Sequence, residues 1–406
     1  MEHPYQKIGQ KNPEIPVERK IFDEEQYETI LRRKNRVLKR WGYVAKKTPF
    51  LPPSRQYLYI EKAKYESLEG YPEVQGYDFD QEFNFNDFLA SYANVGFQST
   101  ELHRAIEIIR RMRDNDAAIM LAFTSNMGTC GIRENIAWLI KEKFINAVAT
   151  TAGAIEEDLA KVFLPFVLGD WRAEGKDLIK DNINRTGNIF IPMDRYMALK
   201  ELLFPLYDRL GKQQEEKKEV FGVTEIVYEM GRELELRDVP GRERSFVYWA
   251  YKNDVPIYCP ALLDGAIGDL MYPYLKANPH FIVDASEYFV QSADRFIRLA
   301  REKVPIGAIL VGGSVPKHLF TNAAIPIGGL DFAVYLNTGQ EMEGSNAGAP
   351  VDEAVSWGKV KPKATTVKVD AEASLVFPLL VAGCFKLYTP TPPEKKMDPN
   401  AEVNEW

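Results

Sequence analysis

The chain has 406 residues, of which 45% are hydrophobic and 27% are charged. This composition supplies enough apolar side chains for a large buried core and is not that of a disordered protein. The formal net charge of −7 argues against a protein that coats nucleic acid. Residues 31–48 contain eight Lys or Arg and no acid, and we interpret this run as a solvated helix face rather than a partner site.

Three cysteines and four histidines are spread along the chain, so the sequence predicts neither a disulfide framework nor a metal centre. The first ten residues contain no apolar signal core. The longest apolar stretch, residues 373–385, is interrupted by Ser374 and Pro378 and is shorter than the roughly 20 residues that cross a bilayer. We therefore expect a cytoplasmic protein with no membrane span.

Composition divides the chain into three parts. Residues 1–75 are rich in charge, Pro and Tyr and predict an N-terminal extension with a helix at about 22–40. Residues 76–388 alternate short apolar runs with helical patterns and predict a single catalytic domain. Residues 389–406 are charged and Pro-rich, which is typical of a flexible tail.

Seven short apolar runs in the central part predict buried strands. They are residues 117–123, 146–150, 188–193, 255–260, 281–284, 307–313 and 331–338.

Helical patterns fall between these runs, and in one of them five apolar side chains share a single face at helical spacing. Alternation of strands and helices predicts an α/β fold, with a mostly parallel, Rossmann-like sheet and helices on both faces. The predicted helices are residues 101–113, whose apolar face is Leu102, Ala105, Ile106, Ile109 and Met112, and residues 131–143, 153–163, 194–212 and 286–303.

The residues that follow the predicted strands are small, Gly-bearing or hydroxyl-rich. Ligands of such sheets bind beyond the carboxyl ends of the strands, where Gly lets the backbone approach and hydroxyls bind phosphate or ribose oxygens. Five such loops in succession favour a nucleotide-sized ligand, although no GxGxxG motif follows a strand and spacing alone does not name the cofactor. The loops are residues 124–131, 150–158, 260–269, 312–318 and 337–348.

The segment "DEAVSWGKV", residues 352–360, places Lys359 just after Trp357 and downstream of Asp352 and Glu353. A lysine attacks imines or carbonyls only when its amine is neutral, and an apolar neighbour disfavours the ammonium form. The carboxylates would instead hold a cationic substrate. The combination suits chemistry on an amine.

His318 follows the predicted strand at 307–313. Because an imidazole titrates near neutral pH, a histidine at a strand end is a candidate general base. The adjacent Lys317 is expected to be an ordinary surface lysine.

Several longer motifs resemble the deoxyhypusine synthase family, and the likeness extends from residue 76 to residue 383. The resemblance implies a homotetrameric, NAD-dependent transferase whose active sites are shared across a dimer interface. It implies that spermidine is dehydrogenated and that its aminobutyl part passes to an enzyme lysine as an imine. The group then moves to a lysine of translation initiation factor 5A, where reduction gives deoxyhypusine. The motifs are "TSN" (124–126), "GIRE" (131–134), "TTAGAIEEDLAK" (150–161), "INRTGNIFIP" (183–192), "CPALLDGAIGD" (259–269), "GGSVPKH" (312–318) and "DEAVSWGKV" (352–360).

The resemblance also implies a role for individual residues. Lys359 becomes the imine-forming lysine and His318 the base. The residues implied to bind the polyamine are Asp269, Asn322, Asn346, Glu353 and Trp357. Those implied to bind NAD are Thr124, Ser125, Asn126, Thr151, Ala152, Gly153, Glu157, Asp264, Gly312, Gly313, Thr338, Gly339, Glu372 and Ala373.

Some positions depart from the family pattern. Asn346 stands where eukaryotic members carry an aspartate, Glu372 replaces the usual aspartate near the cofactor, Gly339 replaces an alanine, and Ser314 ends a three-glycine turn. Residues 212–245 are longer and more charged than the family pattern predicts. The missing charge at Asn346 leaves a homospermidine-forming transfer to putrescine as an alternative function. A non-catalytic NAD-binding protein is a weaker one.

By analogy with eukaryotic members, residues 1–75 are predicted to support the oligomer or gate the active site.

Overall fold

The computed structural model of the protein describes residues 70–391 and five isolated positions before them. Of the predicted helix at about 22–40, the structure describes only Glu25, Glu28, Thr29 and Arg32, which are helical, and the last residues of the predicted tail lie outside the described residues. The chain divides into two units, residues 1–71 and 72–406, and the architecture below is that of the second. The predicted domain boundaries stay predictions. The isolated positions are Glu25, Glu28, Thr29, Arg32 and Leu68.

The described strands form one large sheet and two small ones. The strands are β1 (Ala118–Phe123), β2 (Ala147–Ala149), β3 (Val167–Leu168), β4 (Ile183–Thr186), β5 (Ile189–Pro192), β6 (Phe221–Gly222), β7 (Ile257–Tyr258), β8 (Val283–Asp284), β9 (Ile306–Val311), β10 (Leu330–Asn337) and β11 (Val360–Asp370).

The large sheet has six strands in the order β11-β10-β9-β1-β2-β7, and all of its pairs are parallel. Chain order runs outward from β1 through β2 to β7 on one side and from β9 to β11 on the other. The topological switch point therefore lies between β1 and β9.

Helices cover both faces of this sheet. The described α-helices are α1 (Phe85–Val95), α2 (Phe97–Asp114), α3 (Asn126–Thr129), α4 (Ile132–Lys141), α5 (Ala152–Phe163), α6 (Gly175–Leu178), α7 (Asp194–Lys217), α8 (Val223–Leu236), α9 (Phe246–Lys252), α10 (Ala266–Ala277), α11 (Glu287–Arg301), α12 (Ser314–Ala323), α13 (Val351–Ser356) and α14 (Ala373–Val381).

Alternate residues of the central strands feed two separate cores, as the period-2 geometry of a strand requires. Met120 of β1 packs with α11, α12 and α13 on one face. Leu121, the next residue, packs with α2, α4, α5 and α14 on the other face. Since both faces are covered by helices, β1 and β9 are buried along their whole length.

The predicted fold class and the five predicted helices are confirmed. The predicted apolar face of α2 is buried, with each of its five residues at most 3% exposed. No helix in the part of the chain that the structure describes is long and apolar enough to cross a membrane.

Three predictions about strands need correction. Residues 188–193 form β5, but it lies in a half-exposed antiparallel sheet with β3 and β4 rather than in the core. Residues 281–284 form β8, which pairs only with β6. The long strand β11 was not predicted, because Pro362 and alternating lysines hide the apolar pattern of an edge strand.

The pairing of β10 with β11 is interrupted near its start. Leu330 pairs with Val360, but Phe332 already pairs with Thr365, so residues 361–364 form a bulge within β11. The bulge is held by Lys361, whose Nζ lies 2.6 Å from a carboxylate oxygen of Asp331.

Candidate active site

The predicted site residues fall into two groups, and the first lies where the strands of the large sheet end. We call this group the carboxyl-edge crevice; its centre is the gap between β1 and β9, where ligands of such sheets bind. Its members are Thr124, Ser125 and Asn126 after β1; Thr151, Ala152, Gly153 and Glu157 after β2; Asp264 after β7; Gly312 and Gly313 after β9; Thr338 and Gly339 after β10; and Glu372 and Ala373 after β11.

Loops from neighbouring strands touch at the centre of the crevice. The hydroxyls of Ser125 and Thr151 share a hydrogen bond, and the Thr124 hydroxyl donates to Asn126 Oδ1 at 2.6 Å. Gly312 has φ +90°, and a Cβ there would lie 2.7 Å from Thr124 Oγ1. Only glycine fits this position without strain.

Helix α5 starts in the crevice with an open N-terminus. Its N-cap residue, Thr151, makes no side-chain capping hydrogen bond, since its hydroxyl is used by Ser125. The first N–H groups of α5 and its positive dipole end are therefore available to an anion. This fits a dinucleotide phosphate.

Two acids of the crevice are already engaged within the chain. Glu157 is 8% exposed and accepts a hydrogen bond from the Thr129 hydroxyl. Burial raises the pKa of Glu157 to about 7, although this hydrogen bond opposes the rise. Glu372 caps α14 by accepting from the Leu375 N–H at 3.2 Å; burial acts to raise its pKa, but hydrogen bonds from Ser374 and Leu375 outweigh burial and lower it.

The second group lines a narrow cleft on the face of the sheet that carries α12 and α13. We call it the lysine cleft. It is lined by Lys317, Thr321, Tyr335, Asn346, Ala349, Pro350, Glu353, Ala354, Trp357 and Lys359.

A tight turn places Lys359 in this cleft. Helix α13 ends at Ser356, Gly358 adopts φ +69°, and the Lys359 N–H donates to the Ala354 carbonyl at 3.0 Å. Lys359 therefore precedes β11 at the amino end of the sheet rather than at its carboxyl edge. Its Nζ lies 5.7 Å from the Trp357 ring, as the sequence spacing suggested.

His318 connects the two groups. It lies on α12, whose first residue follows Gly313 in the crevice, and it lines a pocket with Asn322 and Asn346. Burial and the nearby positive charges of Lys359 and Lys317 lower the pKa of His318, while a hydrogen bond with Asn346 opposes the decrease. The imidazole is thus neutral at neutral pH, as a general base must be.

The expectation that Lys317 is a surface lysine was wrong. Its side chain is buried, at 3% exposure, and its Nζ donates to the Asn346 carbonyl at 2.6 Å. The ammonium lies 4.2 Å from the centre of the Tyr335 ring. Burial lowers the pKa of Lys317 to about 8, helped by the nearby Lys368.

Tyr335 is a cleft residue that the sequence analysis missed. It lies in the middle of β10, and its hydroxyl has no hydrogen-bond partner among the described residues. Burial and the charge of Glu353 raise its pKa. The apolar run of β10 predicted its burial, but nothing local to the strand showed that it lies near Glu353.

Two of the predicted polyamine residues do not line this cleft: Asn322 lines the adjoining pocket with His318 and Asn346, and Asp269 lines neither. Asp269 is in the first turn of α10, beyond β7, and it does not line the lysine cleft. Its charge contributes, after burial, to raising the pKa of Glu156. Within one chain, the predicted polyamine residues are therefore in two places.

A parallel sheet with a crevice at its switch point, and a lysine whose charge reaches a histidine of the adjoining pocket, is an arrangement typical of α/β enzymes. The chain belongs to the deoxyhypusine synthase family, a family of transferases, since the family model for deoxyhypusine synthase matches residues 87–384.

Individual relatives agree with this family. The chain is 38% identical over 338 residues to a protein of Pyrococcus furiosus named probable deoxyhypusine synthase, covering 82% of this chain and 98% of the relative. It is 37% identical to the deoxyhypusine synthase of Musa acuminata, over 78% of this chain and 88% of that protein. A crystal structure from Entamoeba histolytica, whose name assigns it to deoxyhypusine synthase, superposes with a TM-score of 0.52 at 29% identity, over 78% of this chain and 99% of the other.

Proposed function

We propose that the protein is an NAD-dependent aminobutyl transferase that converts a lysine of translation initiation factor 5A to deoxyhypusine, with spermidine as donor. The observation that carries this proposal is the position of Lys359 and His318. The two residues come from segments about forty positions apart, yet they are close enough for the charge of Lys359 to lower the pKa of His318.

The residues of the crevice fit NAD. The open N-terminus of α5 suits a phosphate, and the hydroxyls of Thr124 and Ser125 suit further polar contacts. NAD bound there would supply the hydride acceptor for oxidation of the substrate and the hydride for the final reduction. Glu157 and Asp264 disfavour a 2′-phosphate, which favours NAD over NADP.

The chain's own residues then perform the amine chemistry. His318 removes the proton from the secondary amine of spermidine as the adjacent carbon is oxidised. The Lys359 amine attacks the resulting C=N carbon, propane-1,3-diamine leaves, and the aminobutyl group is held as an imine on Lys359. The acceptor lysine displaces Lys359 in the same way, and reduction of the new C=N bond completes transfer. Glu353 binds a cationic end of the polyamine.

We also propose a cytoplasmic homotetramer with active sites at a dimer interface. Asp269 lies apart from the lysine cleft, and this supports a site completed by a second copy. At the mouths of the cleft and the adjoining pocket, Trp357 is 65% exposed and Phe289 is 52% exposed. Such apolar side chains favour coverage by another subunit.

One assay tests the function. The protein is incubated with spermidine, NAD and either purified factor 5A or putrescine, and the products are identified by mass spectrometry. We expect a mass increase on one factor 5A lysine and release of propane-1,3-diamine. Homospermidine formed from putrescine, with factor 5A unmodified, would support the alternative transfer; no product with either acceptor would leave a non-catalytic NAD-binding protein.

A further inference from the structure

Three consecutive acids on α5 contact three different elements. Glu156 accepts from the Ile267 N–H of α10 at 2.8 Å, and Glu157 accepts from Thr129 of α3. Asp158 accepts from the Val247 N–H of α9 at 3.1 Å. Because successive helical residues point roughly 100° apart, α5 braces three neighbours at once. Of these acids, only Glu157 has a predicted ligand role.

Glu156 caps a helix that lacks its own cap. The N-cap residue of α10 is Gly265, which has no side chain to accept a hydrogen bond. The Glu156 carboxylate, 5% exposed, accepts from Ile267 and also from the Ala266 N–H. A Cβ on Gly265, which has φ +142°, would lie 2.7 Å from Glu156 Oε1. The glycine thus leaves room for the carboxylate of another helix.

The capped turn carries a predicted polyamine residue. Asp269 lies in the first turn of α10, and its N–H donates to the Gly265 carbonyl at 3.1 Å. Glu156 is close enough to Asp269 and Asp264 that, after burial, these two charges contribute to raising its pKa. The same carboxylate therefore braces the turn that contains Asp269 through the backbone N–H groups at the start of α10.

We propose that Glu156 is a positioning residue: by capping α10 from α5, it fixes Asp269 in the place where that carboxylate binds the substrate amine. The proposal rests on the proposed function, because it takes the ligand of Asp269 to be spermidine. Glu156 acts through the backbone of α10, since its carboxylate is occupied by two N–H groups of that helix.

The chain contains a matched control for this cap. Helix α8 begins after Gly222, and Glu287 of α11 accepts from the Thr224 N–H at 3.2 Å. A Cβ on Gly222 would lie 2.4 Å from Glu287 Oε2. This is the same arrangement of a glycine N-cap and a distant carboxylate, but α8 carries no predicted ligand residue.

The experiment compares Glu156→Ala, Glu156→Gln and Glu287→Ala in the full chain. Loss of either cap is expected to lower the melting temperature. Glu156→Ala alone is expected to raise the half-saturating spermidine concentration about tenfold, equivalent to about 1.4 kcal/mol, with kcat changed by less than about twofold. Glu156→Gln keeps the side-chain volume and one acceptor, so it is expected to give a smaller rise; it provides the test if the alanine variant does not fold.

The proposal is overturned if neither Glu156 variant changes the spermidine dependence, or if Glu287→Ala changes it equally. Hydrogen exchange separates this outcome from a failure of the proposed function. Faster exchange at Ala266 and Ile267 in Glu156→Ala is expected whatever the protein catalyses, because it reports the cap directly. Unchanged exchange at these two amides would refute the cap itself.

Discussion

The carboxyl-edge crevice and the lysine cleft are built in opposite ways. The crevice consists mostly of backbone, glycines and short hydroxyl side chains, together with the acids Glu157, Asp264 and Glu372, each placed by the strand that it follows. The cleft is built around the long side chains of α12, β10, the loop after β10, and the segment that ends at Lys359. A binding surface made of strand ends is thus a local property of sequence, whereas a reactive pocket made of long side chains depends on how distant segments pack.

The largest expected effect is the loss of transfer when Lys359 is replaced, which affects the lysine cleft and leaves the crevice unchanged. Lys359→Arg keeps a positive charge in the cleft, but guanidinium is effectively never deprotonated and cannot form the imine. Transfer is expected to fall by about a thousandfold or more, while NAD still raises the melting temperature because the crevice is intact. Mass spectrometry after borohydride reduction of the wild type should find the aminobutyl group on Lys359.

Lys363→Arg is the control for this variant, because Lys363 is exposed in the bulge of β11. It should retain wild-type transfer. Near-normal turnover in Lys359→Arg, or an adduct trapped on Lys317, would show that the cleft has been assigned the wrong lysine.

A second prediction concerns the buried ammonium of the cleft. Lys317→Met removes the donor to the Asn346 carbonyl, and an unpaired buried acceptor costs about 1–3 kcal/mol. At pH 7 the variant also lacks the buried, desolvated ammonium of Lys317, and this offsets part of the loss in unfolding free energy. The pKa of Lys317 falls from 10.5 to about 8 on folding, so between these values the unfolded chain binds more protons than the folded one, and the wild type gains stability as pH rises.

The difference in unfolding free energy between wild type and Lys317→Met should therefore widen from pH 7 to pH 10, as measured by denaturant unfolding. Lys363→Met should show no such trend. A constant difference across this range would mean that Lys317 is not desolvated.

A third prediction concerns His318, which connects the crevice and the cleft, and the pH dependence that it gives to kcat/KM. Because the pKa of His318 is lowered, the acid limb of the pH profile for kcat/KM is expected below pH 6.5. Asn346→Asp places a carboxylate beside the imidazole, favours its protonated form and should move this limb upward by about one pH unit. Ser345→Asp adds the same charge at an exposed position of the same loop and should leave the limb in place; equal shifts in both variants would remove Asn346 as the specific partner.

The smallest expected effect lies in the crevice. NAD should raise the melting temperature more than NADP, because Glu157 and Asp264 repel a 2′-phosphate. Since the pKa of Glu157 is about 7, its charge is largely absent at pH 6 and present at pH 8. The preference for NAD should therefore grow between these pH values in thermal-shift measurements and grow less in Glu157→Gln. Equal stabilisation by both nucleotides at pH 8 would contradict this placement of the cofactor.

The sequence predicted the crevice well, because each of its loops follows a strand whose apolar run is visible in the chain. It failed at β11, where an edge strand needs only Val367 and Val369 to be apolar on its covered face. It also failed at Lys317, which carries no local mark of burial. The carbonyl groups that receive its ammonium belong to residues about thirty positions later, and only tertiary packing brings them together.

The bulge at residues 361–364, between the two paired parts of β11, has a consequence for the tolerance of insertions. Before these residues, the pairing of Leu330 with Val360 fixes the position of Lys359. After them, the pairs from Phe332–Thr365 to Asn337–Asp370 carry β11 towards Glu372 in the crevice. A residue inserted within 361–364 enlarges this bulge and leaves both paired parts in place. A residue inserted between α13 and Lys359 has no such slack to absorb it and moves the reactive amine out of its cleft, so tolerance of insertions should change abruptly across Val360.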